Sequence, residues 1–289
     1  MCDEQTLARW GKQALSRRTF GAGTLAGAAA ACAPVKMQGD MRTSAIASSK
    51  VSFPTSAGTM DAEFFHPESG EHPAVLFWPD IAGIRDAKRQ MATRLASSGY
   101  SVLLINPYYR DVSGEQFADF ATFAASEGFQ KVRPWRERLD AQAIQGDARA
   151  ASNWLLDQDA VAATRPMGTQ GYCMGGPFAI WTGAAVPQIG AACSFHGGGL
   201  VRDGANSPHT MLQEKVRYLI AIAQDDDADN PEAKTVLREA AAEVGAQAEI
   251  EVYQGDHGWC VPDSPAYDRA AAERAWSNLL ATYDEALKG

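Results

Sequence analysis

The sequence predicts an α/β fold, a mostly parallel central sheet with helices on both faces. Three observations point to it. Short continuous apolar runs, the kind buried on both faces of a sheet, recur along the chain. Helix-length amphipathic segments alternate with them, as βαβ units require. Residues with chemical potential then fall just after the apolar runs, where open α/β sheets gather their functional groups. Composition permits this fold: 289 residues, 46% hydrophobic and 21% charged, suit a soluble domain with a sizeable core. The net charge of −9 argues against nucleic acid and anionic membrane as partners.

The elements follow in order. Val51 to Phe53 and Met60 to Phe65 read as short strands around a Ser-Ala-Gly turn. Pro73 to Trp78 is a wholly apolar strand, broken by Pro79-Asp80-Ile81-Ala82-Gly83. A helix from Arg85 to Ser98 ends at Gly99, and Ser101 to Asn106 is the next buried strand. Residues 115 to 134 read as a helical excursion above the sheet, ending at Pro134. Trp135 to Asp157 has helical spacing. Met167 to Tyr172 is a strand and Gly175 to Ala185 a helix; Ile189 to Phe195 and Val216 to Ala223 are buried strands. Pro231 to Val244 is a helix with Pro at its start, Ala246 to Tyr253 an alternating strand, and Ser264 to Lys288 a long amphipathic helix.

Residues 1 to 45 read as an address and linker, and 46 to 289 as a single domain. Arg17-Arg18 precedes a weakly apolar Ala/Gly run, as in a twin-arginine export signal, so the expected location is the periplasm. If the signal is not used, the protein stays in the cytoplasm. Ala29-Ala30-Ala31-Cys32 also reads as a poor lipobox, and a lipidated Cys32 is the one membrane contact expected. The five cysteines fit neither a zinc site nor a disulfide framework. No metal and no organic cofactor are expected, because no ligand cluster stands in the sequence. Nothing in it assigns an oligomeric state.

Gly171-Tyr172-Cys173-Met174-Gly175 joins a strand to a helix. Small residues on both sides let the chain turn sharply and expose the side chain between them, so Cys173 reads as a nucleophile. The helix that follows aims free N–H groups at the same place. Three histidines follow, His196, His209 and His257. His257, in Gly255-Asp256-His257-Gly258-Trp259 after the last strand, stands where a base belongs in the chain order nucleophile, acid, His of α/β-hydrolases. His196 opens His-Gly-Gly-Gly after an earlier strand and reads as a pocket wall or a plain turn residue. The acid falls in Gln224-Asp225-Asp226-Asp227; turn spacing from Ala223 favours Asp226, with Asp225 second.

These motifs resemble the dienelactone hydrolase family of α/β-hydrolases over about residues 50 to 289. The cysteine elbow is the specific part, since most relatives in the wider fold use Ser. The resemblance implies cleavage of a small-molecule ester or enol-lactone through a thioester acyl-enzyme, with Cys173, His257 and Asp226 as a triad. It implies an oxyanion hole from the N–H groups of Ile81 and Met174, and an acid, here Asp80, paired with the resting thiol. It implies that Arg110 binds a substrate carboxylate. Two positions depart from the pattern. Asp80 stands where the best-known members have the longer Glu, and Val261 stands where they have a second substrate-binding arginine. Trp259, Tyr108 and Tyr109 suggest a more apolar pocket, with ordinary packing as the other reading. Two other functions remain open: a non-catalytic binding protein on this scaffold, and a thiol redox or stress protein, which needs Cys193 or Cys260 near Cys173.

Overall fold

The computed structural model describes residues 45–288. The segments read as an export signal and a lipobox, with Cys2 and Cys32, lie outside the described residues.

Eight strands form one sheet in the order β1-β2-β4-β3-β5-β6-β7-β8. β1 (Ile46–Thr55) and β2 (Gly58–Pro67) make an antiparallel hairpin paired without a break from Ile46 and Pro67 to Thr55 and Gly58. Both strands exceed the expected spans, because the polar Ser48, Ser49 and Lys50 on the open edge leave no apolar pattern to read. β2 joins β4 (Ser101–Ile105) antiparallel, and β4, β3 (Ala74–Trp78), β5 (Met167–Tyr172), β6 (Ile189–Phe195), β7 (Arg217–Ala223) and β8 (Ala248–Tyr253) run parallel.

The apolar runs are buried on both sides because the sheet lies between two cores. Leu76, Trp78, Leu103 and Ile105 pack into one layer, with α4 (Ala141–Leu156) and α5 (Gly175–Ala185). Their alternate neighbours Val75, Phe77, Val102 and Leu104 pack into the other, with α1 (Asp86–Ser97) and α8 (Arg269–Leu287). The period of two along each strand thus becomes two apolar faces.

The excursion is α2 (Phe120–Ala125) and α3 (Gly128–Arg136). Asp119 caps α2, accepting from the Thr122 N–H at 2.6 Å. Pro134 lies inside α3 instead of ending it. It removes one ladder bond, but buried Val132 and the Trp135 ring, 5.5 Å from that of Tyr108, pack the last turn in place. Trp135 therefore belongs to α3, and α4 starts later than expected, at Ala141, where Asp140 accepts from Ala143 N at 2.8 Å. The acidic run after β7 is a short helix, α6 (Gln224–Asp229), followed by α7 (Ala233–Glu243). Among the described residues no helix is long and apolar enough to cross a membrane.

Candidate active site

The chain progresses from β3 to β4 in one direction and from β5 to β6 in the other, so the crevice between the carboxyl ends of β3 and β5 is the switch point of the sheet. Cys173 stands there, directly after β5, with φ of 54°. This left-handed backbone is unusual for a non-Gly residue and is the strain of a nucleophile elbow. The flanking glycines are required by contact. A Cβ on Gly171 would sit 1.8 Å from the Gly175 carbonyl oxygen, and one on Gly175 2.6 Å from the carbonyl oxygens of Trp78 and Pro79. The N–H of Cys173 donates to Phe195 O at 3.0 Å, which fixes the elbow against β6.

His257 is buried, and its ring is held between an acid and the thiol. Its Nδ1 lies 2.8 and 3.0 Å from the two carboxylate oxygens of Asp226, and its other nitrogen is left for Cys173, whose sulfur bonds the ring. Asp225 has a different job: its Oδ1 accepts from the main-chain N–H of His257 at 2.7 Å and from that of Asp226 at 3.0 Å. One carboxylate thus orients the ring and its neighbour orients the loop. Burial disfavours a charged His257, but the Cys173 sulfur and the Asp226 carboxylate overcome it and raise the pKa to about 10.

The N–H groups of Ile81, in the loop after β3, and Met174, after the elbow, have no main-chain acceptor among the described residues. The Tyr108 hydroxyl donates to Ile81 O at 2.8 Å and lies 3.4 Å from the Met174 sulfur. Tyr108 is therefore a brace for both residues, behind the pocket lining.

Asp80 has other partners than the resemblance implies. It lines the pocket, but Arg85 bonds both its oxygens, at 2.8 and 2.9 Å, and Lys88 Nζ lies 2.8 Å from Oδ2. Burial opposes its charge, yet these two cations hold its carboxyl well below the usual carboxylate range. Arg85 continues to Asp263 at 2.7 and 2.9 Å, and Asp263 accepts from Phe120 N at 2.9 Å. The loop after β3, the loop after His257 and the start of α2 are tied through one buried guanidinium.

Arg110 does not line the pocket. Its guanidinium makes bonds of 2.7 and 2.8 Å to the buried Asp147 on α4, and Tyr109 donates to the same carboxylate at 2.7 Å. The expected carboxylate-binding role for Arg110, and the expected pocket contact for Tyr109, give way to this internal pair. Trp259 is also set back, stacked on Tyr253 at 4.9 Å. What does line the pocket, beside Cys173, His257, Ile81 and Asp80, is His196, Phe120, Gly258, Val261 and Ser264, packed closely around a space of only about 10 Å³. A separate cavity of about 160 Å³ between α1 and α8 lies on the opposite face of the sheet, away from this chemistry.

Cys173 packs in one core layer, and Cys193 and Cys260 in the other. Burial pushes both of the latter thiols up, so neither is a ready resolving partner. Among the described residues no group of three His, Cys, Asp or Glu is placed to hold a metal ion.

Arg85, Lys88, Asp263, Phe120 and Ser264 escaped sequence reasoning. Lys88 alone carried a signal: it falls on the helix stripe with Ala92, Leu95 and Ala96, a charge on an inward face.

A sheet of this topology, with a strained residue after β5 at its switch point and a His–Asp pair after the last strands, defines an α/β-hydrolase fold. Solved structures agree: a dienelactone hydrolase from Klebsiella pneumoniae, so named provisionally, superposes with a TM-score of 0.70 at 23% identity, covering 83% of this chain and 98% of that one. The model of the dienelactone hydrolase family matches residues 60–287, and the chain belongs to that family. It is a hydrolase of the carboxylic ester and lactone class. A Synechocystis protein, provisionally named a carboxymethylenebutenolidase, is 26% identical over 76% of this chain and 88% of its own. A Bradyrhizobium protein, provisionally named a 2-oxo-3-(5-oxofuran-2-ylidene)propanoate lactonase, is 27% identical over 73% of this chain and 83% of its own.

Proposed function

We propose that the protein hydrolyses small uncharged esters or lactones through a thioester on Cys173. The observation that carries this reading is the His257 ring, bonded on one side to Asp226 and on the other to Cys173. Asp80 is occupied by Arg85 and Lys88, so His257 is the acceptor for the thiol proton. The resting site is then a thiolate–imidazolium pair, ready before substrate arrives.

The thiolate attacks the carbonyl carbon, and the electron pair moves to oxygen. The N–H groups of Ile81 and Met174 receive that oxyanion. Collapse breaks the bond to the alkoxy oxygen, which takes the proton from His257. Water then attacks the thioester and gives a proton to His257, while Asp226 holds the ring and balances its charge. Expulsion of the thiolate releases the acid and restores the pair.

The small pocket, with no Lys or Arg in its lining, favours a neutral substrate. The test is steady-state hydrolysis of an ester and lactone panel by wild type and Cys173→Ala. Turnover should disappear in the variant, and wild type should favour neutral members. Unchanged turnover in Cys173→Ala removes the thioester mechanism.

A further inference from the structure

Resting on that reading, we infer that His196 is a catalytic residue: its imidazole donates a hydrogen bond to the oxygen that leaves as alkoxide in acylation and enters as water in deacylation.

His196 is 1% exposed, and among the described residues neither ring nitrogen has a hydrogen-bond partner beyond its own main chain. Buried polar groups without partners are rare in folded proteins and call for an explanation. The ring lines the same pocket as Cys173 and meets the His257 ring edge-on, with centroids 4.8 Å apart. It is also deliberately held: φ is 40°, in the left-handed region, and the main-chain N–H donates to Ala221 O at 2.8 Å.

The topology says which substrate atom it meets. β5 lies between β3 and β6, so Cys173 has the Ile81 loop on one side and His196 on the other. The carbonyl oxygen turns to the N–H groups of Ile81 and Met174. The alkoxy oxygen must instead lie within reach of the His257 nitrogen that faces Cys173, on the side where His196 stands. Microscopic reversibility places the attacking water at the same point. His196 transfers no proton in either step; the alkoxide takes its proton from His257, and water returns one to it. Burial and the neighbouring His257 hold the His196 pKa well below the ordinary value, so it stays a neutral donor beside the imidazolium.

The experiment uses the full chain with acetate esters of graded leaving group, 4-nitrophenyl to ethyl, resolved into acylation and deacylation by stopped flow. In His196→Phe, acylation by the 4-nitrophenyl ester should stay within about threefold of wild type, since that leaving group needs little help. Acylation by the ethyl ester, and deacylation after either, should fall about 10- to 100-fold, the effect of one hydrogen bond to a developing charge. His196→Gly suits the left-handed backbone and carries the same test if the Phe variant does not fold; added imidazole should restore part of its ethyl-ester rate. His196→Asn, which suits that backbone and keeps a donor, should lose less. Cys173 alkylation by iodoacetamide should match wild type in all three. A loss equal for every leaving group, a parallel loss of alkylation, or a wild-type ethyl-ester rate would each overturn the inference. If Cys173→Ala remains active, the thioester reading fails on its own, whatever the His196 variants do.

Discussion

Replacing His257 by Gln tests the resting ion pair. Gln keeps most of the size and can still donate to Asp226, but it cannot take the thiol proton. On the proposed reading, the Cys173 sulfur and Asp226 hold the His257 pKa near 10, so the proton would reside on the ring and leave the sulfur a thiolate through the neutral range. Without that acceptor Cys173 titrates as an ordinary thiol or higher, because it is buried. A thiol of pKa about 8.5 is only about 1% thiolate at pH 6.5. The ratio of alkylation rates at that pH is therefore on the order of 100, trimmed toward 10 because a stabilised thiolate is a weaker nucleophile. Access to the pocket is the same in both proteins and cancels in the ratio. The assay is iodoacetamide labelling from pH 5 to 9 with mass-spectrometric readout at Cys173, using Cys193 and Cys260 as slow internal controls. Wild type should show a flat profile across the neutral range, and His257→Gln a rise toward alkaline pH. Equal rates at pH 6.5, or a wild-type profile that rises like a free thiol's, would refute the pair.

Two further substitutions separate bracing from chemistry. Arg110→Ala leaves the buried Asp147 carboxylate with Tyr109 but without its bidentate partner, and should cost about 2–4 kcal/mol of stability, seen in chemical denaturation. Its kcat/KM on a neutral ester should stay within about threefold of wild type, because Arg110 does not line the pocket; a specific loss on carboxylated substrates would return it to the site. Tyr108→Phe removes the hydroxyl that holds Ile81 O, and should lower kcat about tenfold with KM within about twofold, since the oxyanion donors act mainly in the transition state. An unchanged kcat would show that the Ile81 loop needs no brace.

The elements around the site were legible because their signals are local. Met167–Tyr172 and Gly175–Ala185 have the expected bounds, set by an apolar run, a pair of obligatory glycines and a helix start within a few residues. The order Cys173, Asp226, His257 was legible for the same reason, since each follows its own strand. Which of Asp225 and Asp226 meets the ring depends on how the short helix after β7 turns its side chains, and the acidic run reads equally well as a loop. The partners of Asp80 and Arg110 were not legible at all. A sequence shows that a charge is present, but not whether another charge, as far away as Asp263 is from Arg85, already neutralises it.

Those hidden pairs bear most directly on substrate choice. A pocket selects a carboxylate by offering a cation whose charge is not already met. Arg85, Lys88 and Arg110 are each committed to an internal carboxylate. Arg85 serves Asp80 and Asp263, Lys88 shares Asp80, and Arg110 serves Asp147. Arg85 and Lys88 bring two positive charges to the two negative ones of Asp80 and Asp263, so that network carries no net charge to offer an anion. Val261 adds an apolar wall where the family pattern suggested a further arginine. A carboxylated lactone entering this pocket would lose its water and gain no ion pair, a cost of several kcal/mol. A neutral ester incurs no such cost, and the proposed chemistry asks for no cation in the pocket lining. The same buried charges that look like an anion clamp in the sequence thus act in the structure as ties between the loops after β3, β8 and the start of α2.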